Sequence, residues 1–149
     1  MTAAMPDELE LARAVVDKML AVDAFSQWLG IAVVEITPGR AVVRMTVRPE
    51  MVNGFGTAHG GIVFSLADSA LAFSSNTGGF ISVALDCSIS YPVAVRVGDT
   101  LTAISVEEST TTKLGFCAVT IRNQHDAIVG HFRGTVYRTP KLHFPDGRP

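Results

Sequence analysis

The chain has 149 residues, enough for one domain with a sizeable core and too few for two ordinary ones. Net charge is −2 with a pI near 6.0, so there is no basic excess to hold nucleic acid or an anionic membrane. Hydrophobic residues make up 48% and mean hydropathy is positive, a composition that predicts buried surface continuing across a subunit interface.

Residues 1–5 read as a loose tail. Pro6-Asp7-Glu8 then supplies a helix start, with Pro in the first turn and acids complementing the dipole. Leu9, Ala12, Val16, Met19 and Leu20 recur at helical spacing, which predicts an amphipathic helix packed on the outside of a sheet. Acidic residues precede these apolar positions and no continuous hydrophobic run follows, so a signal peptide is not expected. A short helical piece from Asp23 ends at Gly30. Residues 1–24 form an N-terminal helical segment in this reading.

From Ile31 the period changes to two. Ile31 to Thr37, the Pro38-Gly39 turn and Arg40 to Arg48 predict a hairpin, which Pro49 stops. Met51 to Ser75 begins as a glycine-punctuated loop and becomes an almost uniformly apolar helix starting near Thr57 or Ala58, with Thr57 as its N-cap. Its apolar residues cover nearly the whole circumference, so it is expected inside the domain, wrapped by other structure. The one carboxylate in it is Asp68, costly to bury without a purpose. Gly60 and Gly61 in its first turn let a ligand approach free backbone N–H groups. Asp68 follows Gly60 by eight residues, about 12 Å along a helix axis, too far for both to reach one small group within one subunit.

Phe80 to Tyr91 alternates, with Ile81, Val83, Leu85, Cys87, Ile89 and Tyr91 expected on one apolar face. Strands Thr100 to Glu107, Lys113 to Arg122 and Ala127 to Arg138 follow, joined by short turns. Residues 139–149 read as a disordered tail. The fold class is therefore α+β, an antiparallel sheet curled around one long buried helix. Cys87 and Cys117 read as buried free thiols, no metal-ligand spacing is present, and neither metal nor organic cofactor is expected. The uncharged runs are interrupted by Asn, Ser, Thr and Gly and predict no membrane span, so the expected location is the cytoplasm.

This arrangement resembles the hotdog fold. Asn53-Gly-x4-His59-Gly-Gly61-x6-Asp68 is similar to the motif of hotdog acyl-CoA thioesterases of the phenylacetate-degradation type. The similarity covers roughly residues 25–138, and Leu85-Asp-Cys-Ser-Ile-Ser-Tyr91 before Pro92, Val97-Gly-Asp-Thr-Leu101 and Lys113-Leu-Gly-Phe116 agree with it.

The resemblance implies subunits paired with continuous sheets, then dimers of dimers, with active sites at subunit boundaries. Gly60 N–H would polarise the thioester carbonyl while Asp68 of the partner attacks it or activates a water; the sequence does not choose between nucleophile and general base. Asn53 would orient the nucleophile or the thioester, and His59 would hold the loop. Some relatives carry a strand hydroxyl opposite the acid; here Ala84 aligns, and Ser82 is the nearest candidate on that face. Gly61, Lys113, Leu114, Gly115 and Arg138 would contact the acyl-CoA, with Phe25, Trp28, Phe55, Phe64 and Leu71 as apolar candidates for the acyl pocket. The expected substrate is an aryl-acetyl (phenylacetyl or hydroxyphenylacetyl) or medium-chain acyl-CoA. A hotdog dehydratase or hydratase and a non-catalytic acyl-CoA sensor are the alternatives.

Overall fold

The computed structural model describes residues 6–147 and 149; the tail expected at 1–5 lies outside them. Helices α1 (Pro6–Val22) and α2 (Ala24–Leu29) precede strands β1 (Ala32–Thr37) and β2 (Arg40–Thr46). A 3₁₀ turn (Pro49–Met51) leads to α3 (Gly60–Asn76), followed by β3 (Phe80–Ser90), β4 (Thr100–Thr110), β5 (Leu114–Arg122) and β6 (Ile128–Leu142). The strands form one antiparallel sheet in the order β1-β2-β4-β5-β6-β3, so β1 and β3 are its edges.

The sheet curls around α3, which touches β2, β3, β4, β5 and β6. Val63, Leu66, Ala67, Ala70, Leu71 and Phe73 are buried against Ala41, Val43, Leu101, Ala103, Val119, Ile121 and Phe132. Glycine brings β6 close to the helix: a Cβ on Gly134 would meet the Leu71 side chain at 2.2 Å. One on Gly130 would meet Ile121 of the neighbouring β5 at 2.7 Å. Two buried hydroxyl pairs tie α3 to its surroundings, Ser74 to Ser105 of β4 at 2.7 Å and Ser69 to Ser26 of α2 at 2.8 Å. The helix is not covered all round, however. Gly61, Ser65, Asp68 and Ala72, at helical spacings of four, three and four, are exposed or half-buried and leave one open stripe.

Several boundaries depart from the sequence expectation for identifiable reasons. α3 is capped by His59 and not by Thr57, because Thr57 is drawn into the preceding loop by Asn53. Ala58 and His59 are then held extended by Val95 and Met51 carbonyls. α1 packs against α3 and β1 together, on the concave side of the sheet, and not on its outer surface. β4 runs to Thr110 through an irregularity between Glu107 and Ser109.

The alternation of β3 is broken at Leu85. Ala84 pairs with Val136 but Asp86 pairs with Thr135, so Leu85 is the bulged residue and the faces exchange there. Ser82 and Ala84 before the bulge share the helix-facing side with Cys87 and Ile89 after it, while Val83 and Leu85 are exposed at 49% and 60%. The expected single apolar face therefore does not exist. The 139–149 segment also begins as sheet: β6 continues to Leu142, which pairs with Phe80. Thr139 Oγ1 donates to Ile81 O at 2.7 Å, and the ring of His143 reaches Asn76 Oδ1 at 2.8 Å.

Candidate active site

The loop before α3 is built by Asn53. Its Oδ1 accepts from the N–H groups of Phe55 (2.9 Å) and Thr57 (3.2 Å), its Nδ2 donates to Thr57 Oγ1 at 3.0 Å, and its own N–H donates to Thr57 O at 2.8 Å. An Asx-type turn of this kind closes residues 53–57 into a compact knot and brings His59 to the helix cap. His59 Nδ1 accepts from Gly61 N–H at 2.9 Å, which satisfies one of the free donors of the first turn and fixes the ring as the Nδ1-acceptor tautomer. Gly60 N–H has no hydrogen-bond partner among the described residues and sits at the positive end of the helix dipole. Tyr91, from the far end of β3, donates its hydroxyl to Gly60 O at 2.8 Å and packs so closely that a Cβ on Gly60 would lie 3.1 Å from its ring. A side chain on Gly60 would therefore push the Tyr91 ring back by a few tenths of an ångström.

Asp68 is half-buried on the open stripe of α3. Its carboxylate has neither hydrogen-bond nor ion-pair partner among the described residues. Burial pushes its pKa above the usual carboxylate value, and the negative charge of Asp23 pushes in the same direction. On the sheet side its charge acts on the Cys87 thiol, which is raised by burial and by the charges of Asp68 and Asp86. An acid kept short of hydrogen-bond donors and beside a like charge is a stronger base and nucleophile than one in water.

Ser82 lies elsewhere. Asn76, in the last turn of α3, grips its backbone through Ser82 N–H to Oδ1 (2.9 Å) and Nδ2 to Ser82 O (3.2 Å). Its Oγ is buried without a partner. Two helical turns separate Asn76 from Asp68, so a single chain does not bring Ser82 and Asp68 together.

Two depressions flank these residues. One of about 270 Å³ lies at the head of α3 between Phe25, Met51, Val52, His59, Ile62 and Ser65. Phe25 stacks on Trp28, their ring centroids 6.0 Å apart, and both are exposed at its rim. Phe64 and Leu71 are core residues: Phe64 packs edge-on against Phe132 at 5.2 Å, and Phe55 projects from the loop, 94% exposed. The second, a groove of about 690 Å³, lies beside the β4–β5 turn, between Phe80, Tyr137 and Pro140 on one side and Lys113, Arg138 and Glu107 on the other. Lys113 is exposed and its side chain has no partner among the described residues. Arg138 is paired with Glu107 at 3.3 Å. The Glu107 carboxyl is raised by burial, with Arg138 opposing. Leu114 N–H donates to Thr111 Oγ1, closing the turn, and a Cβ on Gly115 would lie 2.8 Å from the Glu107 carboxylate and 2.9 Å from the Val136 side chain, so both would have to shift. No group of three or more His, Cys, Asp or Glu residues suited to a metal occurs among the described residues.

A curved antiparallel sheet around a central helix, with a free N–H at the helix head and a bare acid on its open stripe, is the architecture of the hotdog thioester hydrolases. The family model described as the thioesterase superfamily matches residues 55–129, and the chain belongs to that family. Among its relatives is the acyl-coenzyme A thioesterase PaaI of Escherichia coli strain K12, 40% identical over 116 residues that span 78% of this chain and 83% of the relative. The structure of the E. coli PaaI protein from the phenylacetic acid degradation operon superposes with a TM-score of 0.88 at 36% identity, covering 90% of this chain and 98% of that one. A hypothetical thioesterase of Streptococcus pneumoniae TIGR4, solved with coenzyme A, superposes at 0.79 with 27% identity over 84% and 98% of the two chains.

Tyr91 and Asp23 are site neighbours that the sequence reading did not single out. Tyr91 was visible only as the last apolar residue of an alternating strand, and Asp23 only as a helix-start residue. The contact that gives each its place spans 31 residues for Tyr91, and for Asp23 it runs through a Ser26–Ser69 contact spanning 43.

Proposed function

We propose that the chain is an acyl-CoA thioesterase that hydrolyses an aryl-acetyl (phenylacetyl or hydroxyphenylacetyl) or medium-chain acyl-CoA to the free acid and CoA. The observation that carries this reading is the pairing of two unsatisfied groups on one helix: the unpartnered N–H of Gly60 and the unpartnered carboxylate of Asp68. Helix geometry keeps them about 12 Å apart in one subunit. The open stripe of α3 and the apolar edge strand β3 support a two-fold dimer in which the α3 head of one protomer meets Asp68 of the other, with dimers then pairing. Residues 25–138 are the catalytic domain and 1–24 an N-terminal helical segment, whose α1 packs on α3 and β1, and the cytoplasm, where CoA thioesters are made and used, is its place of action.

In the shared site Gly60 N–H donates to the thioester oxygen. The Asp68 carboxylate acts at the carbonyl carbon, directly or by taking a proton from a water that adds there. Negative charge gathers on the carbonyl oxygen, where a backbone donor of this type is worth about 10²–10³ in rate. Collapse breaks the C–S bond, and the departing thiolate takes up a proton. Where a water added, the free acid is released at once; where Asp68 added, a water hydrolyses the acyl–Asp68 anhydride to the free acid and restores the carboxylate. Asn53 and His59 keep the donor aimed, since the loop they tie is what sets the first turn of α3. Lys113 meets CoA phosphate as a point charge; Arg138, already neutralised by Glu107, contributes less. The relative solved with coenzyme A and the CoA thioesterase PaaI support this choice of leaving group.

Thiol release from phenylacetyl-, hydroxyphenylacetyl-, hexanoyl- and palmitoyl-CoA tests the proposal, with wild type and Asp68→Asn side by side. Wild type cleaves an aryl or medium-chain thioester and the variant does not. Binding without release in both makes the chain an acyl-CoA sensor. Lys113→Ala raises KM with little change in kcat, as loss of uniform binding requires; an equal fall in kcat removes Lys113 from that role.

A further inference from the structure

Asp23 does more than begin a helix. It caps α2, accepting from Ser26 N–H at Oδ1 (2.9 Å), and its Oδ2 accepts the Ser26 hydroxyl at 2.6 Å. Ser26 is buried, and its Oγ lies 2.8 Å from that of Ser69, also buried. Each hydroxyl carries one proton, so with Ser26 donating to Asp23 the proton between the serines belongs to Ser69. The relay therefore runs Ser69 to Ser26 to Asp23 and terminates on a carboxylate. Ser69 is the residue after Asp68 in α3. The relay thus docks the capped end of α2 onto the helix at the position of the bare acid.

No cation offsets the two acids. Neither Asp23 nor Asp68 takes part in a salt bridge among the described residues. Of the elements packed near Asp68, α2 presents Asp23 and β3 presents Cys87, with Asp86 acting on Cys87 in turn. The thiol is pushed up by burial and both acids and is neutral at neutral pH, so Asp23 is the charge that Asp68 meets within its own subunit.

We propose that Asp23 is a positioning residue for hydrolysis: the Ser69–Ser26 relay fixes its negative charge beside the turn of α3 that carries Asp68, where it sets the charge environment in which that acid reacts. The inference rests on the reading of Asp68 as the reactive acid. Burial is the larger cause that raises Asp68, and the like charge of Asp23 adds to it in the same direction.

Asparagine and serine cap helices about as well as aspartate, so Asp23→Asn and Asp23→Ser keep the α2 start. Both remove the charge together with one of the two acceptors that Ser26 uses, a structural loss that melting temperature reads and that does not by itself move a pH limb. The test is the pH dependence of kcat/KM for wild type and both variants, with melting temperatures as the folding control. The acidic limb moves to lower pH in both variants, because Asp68 then ionises more readily, and the plateau falls because it is a weaker base. Variants that fold and lose rate without moving the limb overturn the proposal and leave Asp23 a helix cap. Asp68→Asn, measured beside them, separates the two readings: an active Asp68→Asn enzyme removes the premise, whereas an inactive one with an unmoved Asp23→Asn limb removes only the role of Asp23.

Discussion

At the scale of single residues, the properties that fit Asp68 for the proposed reaction also make it a burden on the fold. Its carboxyl is raised by burial first and by Asp23 second, so the native state holds the proton more tightly than the unfolded chain does. Stability then falls as pH rises from the unfolded carboxylate value, about 4, through the higher folded value, and the ionised acid weighs on the fold above it. Asp68→Asn therefore melts at a higher temperature than wild type at neutral pH, and the gap closes as pH is lowered below about 4. A gap independent of pH would mean that the carboxylate is not held in the environment described. Asp68 was legible in the sequence because an acid in an apolar helix is conspicuous on its own. Asp23 was not, because its significance depends on Ser69, which the chain brings to it only by folding.

At the scale of elements, the buried helix and its wrapping sheet were readable from periodicity, since α3 is apolar around most of its circumference and the strands after it alternate. The reading failed where tertiary contacts decide. The alternation of β3 gave no sign that Leu85 bulges, and that one extra residue sends Ser82 and Cys87 to the same side. Thr139 and Pro140 looked like the end of the sheet, yet β3 is long enough to pair β6 as far as Leu142. The close approach of α3 to β6 is equally non-local and rests on Gly134. Gly134→Ala forces a methyl against Leu71 and costs about 1–3 kcal/mol, the usual penalty for overpacking a core. Denaturant melts of this variant at unchanged m-value check the figure; a melt indistinguishable from wild type would show that Leu71 has room to move.

At the scale of the whole molecule, one protomer leaves two things unfinished: the open stripe along α3 and the edge of β3, where Val83 and Leu85 stand exposed. A long edge strand with apolar side chains is a pairing surface, and a charge on it is the usual way to keep such an edge single. If subunits pair through β3 as proposed, with half of each site on either protomer, Leu85→Lys dissociates the dimer in sedimentation and abolishes turnover together with it. A monomer that retains full activity would confine the chemistry to one subunit.

The central claim is that Gly60 of one protomer works with Asp68 of its partner, and subunit complementation tests it most directly. Asp68→Asn and a Gly60→Val variant, each inactive alone, are co-expressed with different tags and the hybrid oligomer is isolated through both. In a two-fold dimer one site of the hybrid carries both changes and the other carries neither, so about half of the wild-type activity per dimer returns. A hybrid as inactive as its parents would place both groups in the same subunit's site and contradict the account.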